Sequence, residues 1–227
     1  MTTLTGTPAD RATVERIVRE MVYGRLNGAG PAKSNAPKLV ANISARHMHV
    51  TQEHLEILFG PGSKLTVMKE LYQDGEFASE QTVTIIGPRH RMIQNLRILG
   101  PCRSATQIEL AFTDAIAMGI DAPVRMSGDH HDTPGCMVLG PKGHVELTQG
   151  VIRAQRHVHM HPDEAAYYGV GKLDPLDMII HHPTCGMTLQ GVIARVDPRV
   201  KLEVHLDTDE GNACDLSHAK SIELRKP

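Results

Sequence analysis

The 227-residue chain carries a formal charge of −2 at pH 7 and a pI near 6.7, which excludes the basic surface that nucleic acid or an anionic membrane selects. Its length suffices for one large domain or two small ones. With no tryptophan and 3% aromatic residues, the core must rest on Val, Ile, Leu, Met and Ala. No apolar run reads as a bilayer span, and none reads as a secretory signal with an apolar centre and cleavage site, so no membrane partner is expected. Cys102, Cys136, Cys185 and Cys214 form no C-x-x-C pair, which argues against a zinc ribbon or thioredoxin-like site and fits a reducing compartment.

The first predicted element is an amphipathic helix within residues 1–26. Val14, Ile17, Val18, Met21, Val22 and Leu26 recur at helical spacing, with Arg11, Glu15, Arg16, Arg19 and Glu20 opposite. Residues 27–37, NGAGPAKSNAP, have the composition of a flexible linker. A helix on a tether reads either as a terminal helix packed on its own domain or as one that docks in a partner's groove.

Short β-like runs dominate from residue 38: LVANISARHMHV, SKLTVMKEL, QTVTIIGP, IQNLRILGP, TQIELAF, APVRMSG, CMVLGPKGHVELTQGVIRAQRHVHM, DMIIHH, MTLQGVIARV and VKLEVHLDT. Gly- and Pro-rich turns divide them at near-regular spacing, a mainly β pattern of barrels or sandwiches rather than β-α-β units. Short helices are expected only at TQEHLEILFG, FTDAIAMGI and HPDEAAYYGV.

Histidine is over-represented, with 14 residues. His47-x-His49 recurs as His157-x-His159, 110 residues later. Each pair is preceded by arginine and followed by a short helical pattern that ends in aromatic-Gly, Phe59-Gly60 and Tyr168-Gly169. The recurrence predicts two related β domains from an internal duplication. In a strand, residues i and i+2 share a face, so each pair presents two imidazoles about 6–7 Å apart at the Cα atoms, suited to one metal or to two adjacent ones.

HMHVTQEHLEILFG also fits a cupin spacing, with Glu53 as a ligand on a strand. Here Thr51 reads as a helix N-cap, and Glu53, like Pro162, Asp163 and Glu164 in the second copy, belongs to a first helical turn. Glu109, which shares a strand face with Gln107, and His205, late in a β run before an acidic turn, are further candidate ligands. Arg103 follows a Gly-Pro turn, where a guanidinium can lean toward an anion. His130-His131 and His181-His182 are adjacent pairs whose side chains diverge, and they read as surface or structural residues.

SARHMHVTQEHLEILFG, RHVHMHPDEAAYYGV and KLEVHLDTDEGNA, in this order, resemble the PduL-type phosphate acyltransferases (phosphate propanoyltransferases) of bacterial microcompartments. The resemblance implies two closely apposed β-barrels capped by short helices, one from residues 38–46 plus 155–227 and the other from 47–154. It implies two zinc ions, or another divalent transition metal: His47, His49 and Glu109 at one, and His157, His159 and His205 at the other. Arg103 would contact phosphate; Ser44, Lys69, Arg97, Leu99, His205 and Asn212 would lie near coenzyme A. The implied reaction is reversible: acyl-CoA, with propanoyl the natural guess, plus phosphate gives acyl phosphate plus CoA. The N-terminal helix would dock to a shell protein and place the enzyme, expected as a homodimer, in the microcompartment lumen. The rivals are a di-metal thioester hydrolase and a non-catalytic metal-binding scaffold.

Overall fold

The computed structural model describes residues 36–227. The helix expected within residues 1–26, and all but the last two residues of the linker, lie outside the described residues. In chain order the elements are β1 (Val40–Ser44), β2 (His47–His49), α1 (Gln52–Phe59), β3 (Val67–Glu70), β4 (Phe77–Ile86), β5 (Met92–Gly100), β6 (Gln107–Glu109), α2 (Phe112–Met118) and β7 (Val124–Arg125). They continue as β8 (Met137–Leu139), β9 (His144–Glu146), β10 (Val151–Ala154), β11 (His157–Met160), α3 (Pro162–Tyr168), β12 (Pro175–His181), β13 (Met187–Val196), β14 (Glu203–Asp207), α4 (Thr208–Ala213) and β15 (Ser221–Arg225).

The strands form two sheets. One runs β7-β10-β6-β2-β5-β4-β8-β9, with β3 paired to β4; the other runs β1-β14-β11-β13-β12-β15. The fold is mainly β, but both ladders are open among the described residues, since no pairing joins their first and last strands. Each sheet folds over its own apolar core. One core includes Met48, Leu55, Ile98, Ile108 and Val138; the other includes Val158, Met160, Leu176, Val192 and Val204.

The same local pattern occurs in both sheets. β2 lies between parallel β5 and antiparallel β6, while β11 lies between parallel β13 and antiparallel β14. β6 in turn pairs with parallel β10, and β14 with parallel β1. So LVANISARHMHV is not one strand. β1 belongs to one sheet and β2 to the other, and the chain crosses at Ala45-Arg46. The mirror crossing, at Gln155-Arg156, takes β10 and β11 to opposite sheets.

Helix starts follow the local chemistry. Thr51 Oγ1 accepts the His54 N–H, and Glu53 sits in the first turn of α1. At α3 the His161 ring accepts the Asp163 N–H, Glu164 accepts the His161 N–H, and Pro162 opens the helix. Both acids are helix-start residues, and the cupin spacing is accidental. The acidic turn expected after His205 is a helix instead, α4, closed by a reciprocal capping box between Asp207 and Glu210. In it Gly211 is needed for space: a Cβ there would stand 2.4 Å from Ile43 Cγ1 of β1.

Candidate metal centre

Strand alternation builds the site. Met48, Ile108, Val158 and Val204 are each 0% exposed and point into the cores, which turns their neighbours His47 and His49, Gln107 and Glu109, His157 and His159, and Glu203 and His205 to the opposite faces. Burying each apolar side chain contributes about 1.5–3 kcal/mol, so the core fixes the register that aligns the polar ones. Register then sets His47 against Glu109 and His49 against Gln107, and in the other sheet His157 against His205 and His159 against Glu203.

In the first group His47 Nδ1 donates to the Ala45 carbonyl at 2.8 Å, which leaves Nε2 with a bare lone pair. That Nε2 lies 3.2 Å from His49 Nε2 and 3.6 Å from Glu109 Oε2. In the second, His157 Nδ1 donates to the Gln155 carbonyl at 2.8 Å, and its Nε2 lies 3.3 Å from His159 Nε2. The His205 ring stacks on His157 at 5.0 Å, with its Nδ1 3.0 Å from Ser44 Oγ. Within each group one ligand atom per residue lies within 4.8 Å of the others.

Two buried nitrogens, His49 Nδ1 and His205 Nε2, complete no well-aligned hydrogen bond among the described residues, although His205 Nε2 stands 3.0 Å from Glu203 Oε2. Paired Nε2 lone pairs facing each other repel unless a proton or a cation stands between them. Burial, reinforced by His47 and Arg103, draws His49 down to about 2; burial with His205 and Arg195 draws His159 down to about 4 and His157 well below its ordinary value. These rings are therefore neutral at pH 7, the form that binds a metal. Imidazole nitrogens with a carboxylate oxygen are a donor set suited to zinc and its transition-metal neighbours. The residues fit the expected group.

A cleft lined by Ser44, Glu109, Gln155, His157, His205 and Asp207 borders both groups. Arg103 donates to Ser127 Oγ at 3.2 Å and pairs with Glu76 at 3.3 Å. Arg195 lies beside His159 in register, and its side chain makes no hydrogen bond or ion pair among the described residues. Burial and the nearby Arg103 lower its affinity for its proton, while Glu109 and Glu76 oppose them. Gln107 donates to Glu109 at 2.6 Å and accepts from Gly128, with His130 Nε2 2.9 Å from the same oxygen, so His130 belongs to the support of this group. Burial works to raise Glu203, but His205 and the N–H groups of Asn42 and Gln73 bring it down to about 2. Sequence reading missed Arg195 and Glu203, because a polar residue in a β run looks like any exposed strand residue, and Gln73, which lies in the turn between β3 and β4.

The expected coenzyme A residues are less gathered. Ser44 and His205 border the cleft and the Leu99 backbone faces His49, but Arg97 is already bonded to the Ser79 and Glu80 carbonyls, and Lys69 and Asn212 lie exposed on β3 and α4. The arginine before each histidine pair clamps a helix. Arg46 Nη1 meets Asp114 of α2 at 2.8 Å, and Arg156 Nε meets Glu210 of α4 at 2.7 Å. Each of these helices follows the strand that carries the third partner, Glu109 or His205.

A family profile described as Phosphate propanoyltransferase matches residues 40–217, which include all six histidine and glutamate positions. The chain belongs to the phosphate propanoyltransferase family. A relative of that name from Planctopirus limnophila is 59% identical over 224 residues, covering 96% of this chain and 92% of its own. Relatives of the same name from Thermotoga maritima and Salmonella typhimurium are 45% and 44% identical, covering 80% and 75% of this chain and 86% and 80% of theirs. The family so identified is one of acyltransferases, as the three motifs implied.

Proposed function

We propose that this chain moves an acyl group, propanoyl first, reversibly between coenzyme A and inorganic phosphate, at a centre holding two divalent cations with zinc the first choice. The reading is carried by the two histidine groups, each with ligand atoms crowded within 4.8 Å, and by the two guanidinium groups beside them, Arg103 and Arg195. Cations held by His47, His49 and Glu109 and by His157, His159 and His205 would polarise a thioester carbonyl and offset phosphate charge.

The chain's own residues do the rest. Carbonyls of Ala45 and Gln155 hold His47 and His157 in the Nε2-open tautomer, and Ser44 orients His205. Arg103, braced by Glu76 and Ser127, offers a planar donor fork to phosphate; Arg195 adds a second guanidinium, paired directly with no carboxylate among the described residues though Glu109, Glu76 and Asp197 lie near it. Phosphate in water is a poor nucleophile toward a thioester, so holding it in line with the carbonyl matters as much as charge. No cysteine is needed to carry the acyl group, and burial pushes the Cys136 thiol up to about 12 and also raises Cys102 and Cys214. Ser44, Lys69, Arg97, Leu99, His205 and Asn212 are the proposed coenzyme A contacts, and Arg97 must keep or exchange its two carbonyl bonds on binding.

The repeated register supports an internal duplication into two apposed barrel-like halves, residues 38–46 plus 155–227 and residues 47–154. Residues 1–26, whose sequence pattern is that of an amphipathic helix, dock to a shell protein, with a homodimer in a microcompartment lumen as the assembly. The test is release of the CoA thiol from propanoyl-CoA with and without phosphate. Phosphate-dependent release with acyl phosphate as product is expected. Release of free acid without phosphate would favour a hydrolase, and no release by metal-loaded protein a scaffold. Deleting residues 1–27 should leave turnover intact.

A further inference from the structure

Away from the histidine pairs, reactive side chains gather where the turn between β12 and β13 meets the end of α4. The turn, residues 182–186, carries His182 and Cys185; the segment that leaves α4 carries Cys214, Asp215 and His218. His182 joins the two. Its Nδ1 accepts the N–H groups of Thr184 at 3.2 Å and Cys185 at 2.9 Å, so Nε2 carries the ring proton, and it faces Asp215 Oδ2 at 3.4 Å. Asp215, held at a left-handed φ of 47°, also brings its Oδ1 to 2.7 Å from His218 Nδ1. A side chain only 8% exposed thus spans from the backbone of one cysteine to the residue after the other.

Both cysteines are free thiols, but their settings differ. Cys185 is partly exposed, with its Sγ 3.5 Å from Thr184 Oγ1. Cys214 is 0% exposed, and its thiol donates to the Glu210 and Gly211 carbonyls at 3.3 and 3.4 Å. They border one core: Cys214 lies in it with Ile180, and Met187 packs against it, so strand residues on both sides of the Cys185 turn adjoin the cluster that holds Cys214. Burial raises the Cys214 thiol, and Asp215 and Cys185 raise it further, as negative charge close by does. An accessible thiol beside a buried one is the arrangement in which the first is oxidised and the second resolves it.

We propose that Cys185 and Cys214 form a peroxide-responsive pair, which closes to a disulfide between the β12–β13 turn and the C-terminal end of α4. The Cys185 sulfur attacks a peroxide oxygen, the O–O bond breaks, and with hydrogen peroxide the products are a sulfenic acid and water. The Cys214 sulfur then attacks the sulfenic sulfur, the S–O bond breaks and a second water leaves. In sum, two thiols and one hydrogen peroxide give one disulfide and two waters. The cross-link pins the end of α4, the helix that follows His205 and carries Asn212.

The test is brief exposure of the full chain to a few equivalents of hydrogen peroxide, then unfolding, alkylation of the remaining thiols and mass analysis of the unreduced digest. Expected are a fall from four alkylated cysteines to two, a peptide pair linked through Cys185 and Cys214, and recovery of all four with dithiothreitol. In Cys214→Ala, which lacks the resolving thiol, dimedone should trap Cys185 as its sulfenic acid. Four alkylated cysteines after peroxide, or a linked pair that involves Cys102 or Cys136, would overturn the proposal. The wild-type measurement depends on no substitution, so it decides the matter even where the variant fails to fold.

Discussion

Replacing Arg156 by alanine should destabilise the metal-free protein more than replacing Arg46, although the two arginines occupy matching places before the histidine pairs. Arg156 donates Nε to Glu210 at 2.7 Å and Nη1 to the Gln190 carbonyl at 3.0 Å; its side chain is 31% exposed and that of Glu210 17%. Glu210 also accepts the Asp207 N–H that closes the α4 capping box, so its partner cannot leave without cost to the helix start. Losing a charged hydrogen bond to a mostly buried carboxylate costs about 1.5–3 kcal/mol. Arg46 makes one ion pair among the described residues, with Asp114, and its side chain is 48% exposed, so its loss falls in the range of a surface pair, about 0.2–1 kcal/mol. Urea denaturation of chelator-treated protein, with a double-mutant cycle pairing Arg156→Ala and Glu210→Gln, measures both. A coupling below about 0.3 kcal/mol, or an Arg46→Ala cost equal to that of Arg156→Ala, would refute the clamp.

Ser44→Ala frees the His205 ring and should weaken binding of the second Zn2+ by roughly 10-fold while leaving the first alone; chelator competition checks this. His49, His157 and His159 titrate lower in the folded chain than in the unfolded, where the ordinary value near 6.5 applies. Their contribution is therefore present above pH 6.5 and lost as pH falls. His159 alone, drawn to about 4, accounts for ~3 kcal/mol across that interval, and urea midpoints of metal-free protein should drop from pH 7 to pH 5 rather than stay flat. Gly211→Val should drive a side chain into Ile43, displace β1 and lower the melting temperature by several degrees, read by circular dichroism. Cys102→Ala should leave turnover largely intact, and complete loss would argue for an acyl-enzyme route.

Much of the site was legible because it depends on a local rule. Residues two apart on a strand share a face, so HMH and HVH announced paired imidazoles, and QIE announced Glu109 beside Gln107. The helix start at Thr51 and the first turn at Pro162, Asp163 and Glu164 were equally local. What stayed hidden depends on pairing between distant segments. The β propensity of LVANISARHMHV does not mark the crossing at Ala45-Arg46, since both sides share it; only the family resemblance divided the chain there, and register assigns the two sides to different sheets. Arg195 and Glu203 gain meaning from neighbours far away in sequence, His159 and Gln73 among them. The helix after His205 was missed because the six residues TDEGNA read as a turn until the Asp207–Glu210 capping pair is seen.

The most direct test of the account is an anomalous difference map at the zinc edge from crystals of the zinc-loaded protein. Two peaks are expected, one bonded by His47, His49 and Glu109 and the other by His157, His159 and His205. An absence of peaks at these six side chains would contradict it.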